Sequence, residues 1–318
     1  MKSLILGGAG FLGSNLVRYC LRQPGAEITV MDSLEPQLRA TTKHLAPVWK
    51  DIRFIRGSLL DATALAEAVQ EQDIIFNCAA QTSHPLSIQD PLFDAEINCL
   101  GNLKLLESVR LLNRNAVVVY TSSSTVIGKA VDELVDETHG ERPLEIYSAN
   151  KGVAEKYYRI YHRVHDLKTV VLRFANLFGP YGKGHQEFGF INYFISLAQA
   201  GDEIRIFGEG YQTRNVLYVE DAAAALWTAA HSPQLLGETF FAVHEEHVSV
   251  RDIAASVVRV MGRGSVTHVP WPDERKRIEV DKVRITAAKF RQLTAWQPRH
   301  SFEEGLNQTK AIWQGNPA

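Results

Sequence analysis

A doubly wound α/β fold, in which helices cover both faces of a parallel sheet, is predicted by three features of this 318-residue sequence. Short runs rich in Val, Ile and Phe alternate with amphipathic helical stretches through the first half of the chain. A glycine-rich loop follows the first apolar run, and an acidic residue closes the second. Continuous apolar strands that alternate with helices are typical of parallel sheets buried on both sides.

The predicted strands of the first half occupy residues 3–6, 27–31, 53–55, 73–77, 116–121 and 169–174. The intervening helices are predicted at residues 11–21, 61–70, 94–112 and 146–164. The second half is richer in Gly, Pro and aromatic residues, with helices predicted near residues 191–200, 219–231 and 250–261. This order favours one α/β sheet followed by a less regular region that contains a basic, solvated loop at Trp271–Arg277.

Composition excludes several classes of protein. Hydrophobic residues make up 45% of the chain, charged residues 22%, and the formal net charge is -2, so no overall electrostatic field favours binding to nucleic acid or to an acidic membrane.

The chain has three cysteines, Cys20, Cys78 and Cys99, an odd number that includes no Cys-x-x-Cys pair. We therefore expect buried apolar side chains, with no disulfide framework and no metal site. The sequence has no signal peptide or membrane-spanning run, which predicts a soluble cytoplasmic protein.

The loop GGAGFLG predicts a dinucleotide site because it lies between the first predicted strand and the first predicted helix. Gly7 allows the tight turn, Gly10 lets the backbone approach a pyrophosphate, and Gly13 lets the helix pack on the strand. The pyrophosphate then meets the helix N-terminus. Asp32 ends the second strand, where a carboxylate binds a ribose 2′-hydroxyl and repels a 2′-phosphate. A Rossmann domain that binds NAD rather than NADP follows from this pattern.

Tyr147 and Lys151 are one helical turn apart on a predicted helix face. The ammonium of Lys151, helped by the positive charge of a nicotinamide ring, is expected to lower the pKa of Tyr147 from its ordinary value of about 10. Tyr147 then acts as a general base toward a hydroxyl group. The serine run 122–124 ends a strand at the edge where doubly wound sheets bind ligands, so a serine there is placed to bond the same hydroxyl.

Further motifs resemble those of the extended short-chain dehydrogenase/reductase family, the nucleotide-sugar epimerases and dehydratases. The resemblance covers nearly the whole chain and rests on GGAGFLG and on residues 77–80, 97–102, 123–128, 173–180 and 208–221. It implies a Rossmann domain of residues 1–175 and about 212–245, with a smaller C-terminal substrate domain of about 176–211 and 246–318. It also implies a homodimer that pairs helices 94–112 and 146–164 of two copies into a four-helix bundle.

The resemblance implies a role for each matching residue. Ser123, Tyr147 and Lys151 become the catalytic residues, and Tyr147 and Lys151 also contact NAD. The remaining cofactor contacts are Gly7, Gly10, Phe11, Leu12, Gly13, Asp32, Ser33, Ser58, Leu59, Ala79, Ala80, Gln81, Asn98, Thr121 and Phe174. The nucleotide-diphosphate sugar is expected to contact His84, Ser123, Asn176, Phe207, Arg214 and Arg277. The guanidinium of Arg214 binds its diphosphate, assisted by Arg277.

Several residues depart from the family's pattern. Ser58 replaces an Asp that faces adenine in many relatives, Ile127 replaces a Tyr, and Asn215 replaces an Asp. His84 lies in a predicted loop near the sugar, where relatives carry a small apolar residue. It is interpreted as a substrate ligand, a proton shuttle or a plain loop residue.

One departure discriminates between reactions. The 4,6-dehydratases carry an Asp-Glu pair directly after the catalytic residue, whereas this chain has Ser124 and Thr125, which do no acid-base work at neutral pH. A nucleotide-sugar epimerase that acts at C4 through a 4-keto intermediate is therefore favoured. The alternatives are a 2-epimerase, because residues 184–190 resemble the CDP-tyvelose 2-epimerases, a nucleotide-sugar dehydratase, a ketosugar reductase, and a non-catalytic NAD-binding protein.

Overall fold

A computed structural model describes residues 1–272 and 283–315. Its strands are β1 (Lys2–Leu6), β2 (Glu27–Asp32), β3 (Ile52–Arg56), β4 (Ile74–Asn77), β5 (Val117–Ser123), β6 (Leu134–Val135), β7 (Lys168–Phe174), β8 (Asn176–Phe178), β9 (Glu203–Phe207), β10 (Thr213–Tyr218), β11 (Thr239–Phe241), β12 (His247–Ser249), β13 (Ser265–Val269) and β14 (Arg284–Ile285). Seven of them form a wholly parallel sheet in the order β11-β7-β5-β4-β1-β2-β3. The predicted doubly wound α/β fold is confirmed.

The helices are α1 (Phe11–Leu21), α2 (Ala62–Val69), α3 (His84–Gln89), α4 (Pro91–Ala95), α5 (Gly101–Leu112), α6 (Ile146–His165), α7 (Phe190–Ala200), α8 (Val219–Ala230), α9 (Val250–Met261), α10 (Ala288–Leu293) and α11 (Phe302–Trp313). Every helix and strand predicted from the sequence is present, with small differences at the ends.

Two features between β4 and α5 differ from the prediction. The helix expected at 94–112 begins at Pro91, because Asp90 caps it through the backbone N–H of Phe93 at 3.0 Å, and it contains a π-helical turn at Glu96–Leu100. His84 was expected in a loop, but it is the first residue of α3. The hydroxyl of Ser83 caps that helix by accepting from the N–H of Leu86 at 3.2 Å.

The large sheet is buried on both faces. Along β1 the side chains alternate, so that Ile5 packs in the core beneath α1 and α8 while Leu4 and Leu6 pack in the core beneath α2, α5 and α6. This explains why the strands read as continuous apolar runs. The cover on both faces leaves the carboxyl ends of the strands as the place where a ligand reaches the sheet.

A smaller layer lies against these carboxyl ends. It contains the sheet β12-β10-β8, the strand pair β13-β9 and helices α7, α9 and α11, which share a third core around Ile195, Ile206 and Ile253. Residues 285–296 return to the large sheet, where Phe290 and Trp296 pack in the core beside α8. The domain boundaries inferred from the sequence stay a prediction. Within residues 1–272 and 283–315, no helix is long and apolar enough to cross a membrane.

Candidate active site

A cavity of about 740 Å³ opens between the carboxyl ends of the large sheet and the smaller layer. Its volume is in the range of cofactor and substrate sites. Most of the residues predicted to bind a cofactor line it: Gly7, Gly10, Phe11, Leu12, Gly13, Asp32, Ser33, Ser58, Leu59, Ala79, Ala80, Thr121, Tyr147, Lys151 and Phe174. Among the predicted substrate contacts, His84, Ser123, Asn176 and Arg214 line it as well.

The glycine loop forms a cradle that side chains would fill. Gly7 has a φ of +72°, and a Cβ on Gly13 would lie 2.2 Å from the carbonyl oxygen of Gly7. Helix α1 begins at Phe11 without a side-chain cap, so the amides of its first turn are available to an anion in the cavity. The cradle and these amides fit the pyrophosphate of a dinucleotide.

Asp32 is held at the end of β2 by two backbone amides. Its carboxylate accepts from the N–H of Ala9 at 3.0 Å and from the N–H of Leu34 at 2.9 Å. Burial raises the pKa of Asp32, although both hydrogen bonds and the positive charge of Lys183 oppose that rise. The position fits the predicted contact with an adenosine ribose.

Lys183 is a cavity residue that the sequence analysis missed. It follows β8, and its Nζ lies 4.3 Å from the centre of the Phe188 ring. Burial lowers the pKa of Lys183 to about 8, although the carboxylate of Asp32 acts in the opposite direction. No local sequence pattern predicts this role, because Lys183 is brought to the cavity by the packing of the smaller layer.

The three predicted catalytic residues meet in the same cavity. Ser123 ends β5, and its hydroxyl lies 2.8 Å from the hydroxyl of Thr125. Lys151 donates from Nζ to the carbonyl of Thr121 at 2.6 Å and lies 4.3 Å from the centre of the Tyr120 ring. Burial lowers the pKa of Lys151 to about 8.

Without a cofactor in the cavity the pKa of Tyr147 is raised, and the lowering expected beside a nicotinamide ring stays a prediction. Burial raises the pKa of Tyr147, a hydrogen bond from Ser123 opposes that rise, and the carboxylates of Asp94 and Glu145 add to it. The ammonium of Lys151 is directed to the backbone carbonyl of Thr121, and in the part of the chain that the structure describes no hydrogen bond joins it to the phenol of Tyr147. Tyr147 therefore needs a further positive charge in the cavity to become a base.

Two predicted cofactor contacts, Gln81 and Asn98, lie behind the cavity wall. Asn98 donates from Nδ2 to the carbonyl of Gln81 at 2.9 Å, and Gln81 donates from Nε2 to the buried carboxylate of Asp94 at 2.7 Å. Asp94 also accepts from Nδ2 of Asn150 at 2.7 Å. This network holds helix α4 against helix α6, and so it supports Tyr147 from behind.

The substrate side of the cavity is built on β8 and β10, which run parallel. Asn176 donates from Nδ2 to the carbonyl of Asn215 at 3.0 Å, and Arg214 donates to the carbonyl of Thr213 at 2.9 Å. Asn215, where relatives carry Asp, donates to the carbonyl of His244 at 2.8 Å and thereby anchors β10.

One predicted substrate contact lies outside the cavity, and another falls outside the residues that the structure describes. Phe207 lies outside its lining and packs on Trp271, with ring centres 5.3 Å apart. Arg277 lies outside the described residues, as does most of the basic loop.

The fold and the cavity define a Rossmann-type enzyme with a dinucleotide cradle and a Ser-Tyr-Lys site. Comparison with known proteins gives the family. The profile of the NAD dependent epimerase/dehydratase family matches residues 3–240, and this chain belongs to that family. NAD is its cofactor, and the residues present fit it.

Three similar proteins illustrate the range of activities. A UDP-glucose 4-epimerase of Mycolicibacterium smegmatis is 30% identical over 97% of this chain and 97% of its own length. A CDP-paratose 2-epimerase of Salmonella typhi is 31% identical over 76% of this chain and 78% of its own length. The crystal structure of the UDP-glucose 4-epimerase of Thermotoga maritima with UDP-glucose has a TM-score of 0.89 and 26% identity, and the match covers 99% of both chains.

Proposed function

We propose that this protein is a nucleotide-sugar 4-epimerase. The observation that carries the proposal is the meeting of Ser123, Tyr147 and Lys151 with the glycine cradle in one cavity that also contains Arg214. The similarity to a UDP-glucose 4-epimerase over almost the whole of both chains supports it.

The side chains divide the work at the sugar. NAD, when bound, would supply reversible hydride transfer at the sugar carbon. Tyr147 removes the proton of the C4 hydroxyl and later gives it back, while Ser123 holds the same oxygen by a hydrogen bond. Lys151 adds positive charge at the site, and the guanidinium of Arg214 binds the diphosphate. The 4-keto sugar turns over inside the cavity before C4 is reduced on its other face.

The residues after Ser123 argue against 4,6-dehydration. Ser124 and Thr125 line the cavity where such an enzyme requires an acid and a base. Hydroxyl groups do not exchange protons with a sugar carbon near neutral pH. An epimerase has no need of that pair, because the hydride returns to the carbon that lost it.

Epimerisation at C2 is the second candidate. Lys183, Phe188 and Phe190, within and beside the stretch that resembles the CDP-tyvelose 2-epimerases, line the cavity. The similarity to a CDP-paratose 2-epimerase favours the same reading. The sugar carbon that faces Tyr147 decides between the two reactions.

A panel of UDP-, dTDP-, CDP- and GDP-sugars, with products identified by NMR, tests the proposal. We expect a 4-epimer from at least one substrate and no net consumption of NADH. Stoichiometric loss of NADH would indicate a ketosugar reductase, and no product from the whole panel would refute the epimerase.

Tyr147→Phe is expected to lower kcat by about 100-fold or more while NAD stays bound. Tyr157→Phe, on the same helix outside the cavity, is the matched control and keeps wild-type turnover.

We also infer a homodimer. The outer face of α6 exposes Val153, Ile160 and Val164, and Leu92 on the neighbouring α4 is 76% exposed. Apolar side chains repeated at helical spacing on an open face are typical of a helix that packs against another chain. The cytoplasmic location expected from the sequence stays a prediction.

A further inference from the structure

A histidine-carboxylate pair lies beside Tyr147 in the cavity wall. Nδ1 of His84 is hydrogen-bonded to a carboxylate oxygen of Glu145, and the hydroxyl of Ser148 donates to the same oxygen at 3.0 Å. The Glu145 side chain is only 11% exposed, while that of His84 is 44% exposed. The imidazole lies 4.8 Å from the ring of Tyr147, measured between ring centres.

The carboxylate fixes which nitrogen of His84 is available. Because Nδ1 is engaged by Glu145, Nε2 is the nitrogen left for a ligand, and no described residue hydrogen-bonds to it. A carboxylate that orients an imidazole in this way prepares the other nitrogen to take or give a proton. The exposed edge of His84 lets that proton exchange with solvent.

We propose that His84 is a second proton-transfer residue, acting at a sugar carbon next to the one that Tyr147 serves, with Glu145 as its positioning residue. The inference rests on the proposed function, because it requires a ketosugar in the cavity.

The step balances without a further oxidant. Once the hydroxyl carbon has lost its hydride to NAD and become a ketone, the C–H bonds on either side of it are acidic. Nε2 of His84 takes one of these protons, and the electron pair of the broken bond moves into an enolate. The imidazolium that forms is paired with the carboxylate of Glu145. Return of a proton from His84, after exchange with solvent, restores the ketosugar with no net change in redox state.

Solvent deuterium distinguishes this step from simple epimerisation. A returned hydride leaves protium on C4, whereas proton transfer by His84 places deuterium on a neighbouring carbon. We therefore expect the holoenzyme in D2O, given the sugar panel above, to yield sugar that is heavier by deuterium at a carbon next to the oxidised one, detected by mass spectrometry and located by NMR.

Two variants assign the step to the pair. His84→Asn and Glu145→Gln are expected to lower deuterium incorporation by about 100-fold. The NADH formed on the enzyme in a single turnover is followed by its absorbance in the same samples, so that incorporation is expressed per sugar oxidised, and this ratio is expected to fall in both variants. His231→Asn is the matched control, because its imidazole bonds a backbone carbonyl at 2.8 Å outside the cavity, and it should keep full incorporation.

The outcomes separate the inference from the proposed function. NADH and epimer without deuterium in the sugar would overturn the role of His84 and leave the epimerase standing, with His84 reduced to a hydrogen-bonding ligand. Incorporation that persists in His84→Asn would also overturn it. No NADH from any sugar of the panel would overturn the epimerase and this inference together.

Discussion

Arg173 on β7 and Glu155 on α6 form a buried two-point ion pair, with Nη2 2.6 Å from Oε2 and Nε 2.9 Å from Oε1. The hydroxyl of Ser122 bonds the same carboxylate. The pair therefore lies directly beneath the end of β5 that carries Ser123. It ties the helix that carries Tyr147 and Lys151 to the sheet, so the catalytic geometry depends on a contact that never touches a ligand.

Glu155→Gln is expected to lower the free energy of unfolding by about 3 kcal/mol, because it removes the more buried of the two carboxylates paired with Arg173 and leaves only Glu141, at 3.2 Å from Nη2. Urea unfolding measures the loss. Glu220→Gln, at the exposed pair with Arg22, is the control and should cost less than about 1 kcal/mol. If both variants lowered the free energy of unfolding by the same amount, burial of the Arg173–Glu155 pair would not add to its contribution to stability.

The two cavity lysines predict an unusual pH dependence for the protein without cofactor. Burial lowers the pKa of Lys151 and of Lys183 from 10.5 to about 8, so the unfolded chain binds more protons than the folded one between pH 8 and 10.5. These groups therefore make the free energy of unfolding rise with pH across that window. In Lys151→Met, the free energy of unfolding measured with urea should rise less steeply with pH, because only Lys183 still contributes. The variant Lys50→Met, at an exposed position, should show the wild-type slope. A wild-type slope in Lys151→Met would contradict the prediction.

Local sequence patterns predicted the glycine cradle, the acidic residue at the end of β2 and the tyrosine and lysine of α6. The positions of Gly7, Gly13 and Asp32 follow from a strand-turn-helix pattern, and the spacing of Tyr147 and Lys151 fixes them on one helix face. Each of these depends on neighbours within a few residues. The structure brings all five to one cavity, since parallel strands end at the same edge of the sheet.

Tertiary contacts decided the rest. Lys183 acts electrostatically on Asp32 from a distant segment of the chain, and Glu145 is hydrogen-bonded to His84 across 61 residues, so local spacing could not predict either interaction. Gln81 and Asn98 bond one another behind the wall instead of lining it. Burial raises the pKa of Tyr147, an effect of solvent exclusion that the spacing of Tyr147 and Lys151 along the helix could not reveal.

The positive charge of Lys183, which acts on Asp32 within the same cavity, predicts how this site discriminates between cofactors. Asp32→Ser removes the carboxylate that disfavours a 2′-phosphate, and the ammonium of Lys183 is left near the same position. We expect the ratio of the Kd for NADPH to the Kd for NADH to fall by about tenfold or more, measured by quenching of protein fluorescence.

The double variant Asp32→Ser/Lys183→Met should lose that gain, because the positive charge is gone. Lys183→Met alone should weaken NADH binding less than Asp32→Ser does. If the double variant binds NADPH as tightly as Asp32→Ser, Lys183 does not reach the adenosine ribose.

The apolar face of α6 predicts how the proposed dimer responds to charge. Ile160 is 51% exposed and Val164 63% exposed on the same side of the helix, with Leu92 on the adjacent helix. Ile160→Asp would bury a carboxylate between two copies without a partner, and an isolated charge in an apolar interface is strongly unfavourable. We expect sedimentation velocity to show the wild type as a dimer and Ile160→Asp as a monomer. Leu293→Asp, at a 41% exposed position on α10 remote from this face, should remain dimeric. A wild type that sediments as a monomer at all concentrations would refute the interface, and dissociation of both variants would place it elsewhere on the surface.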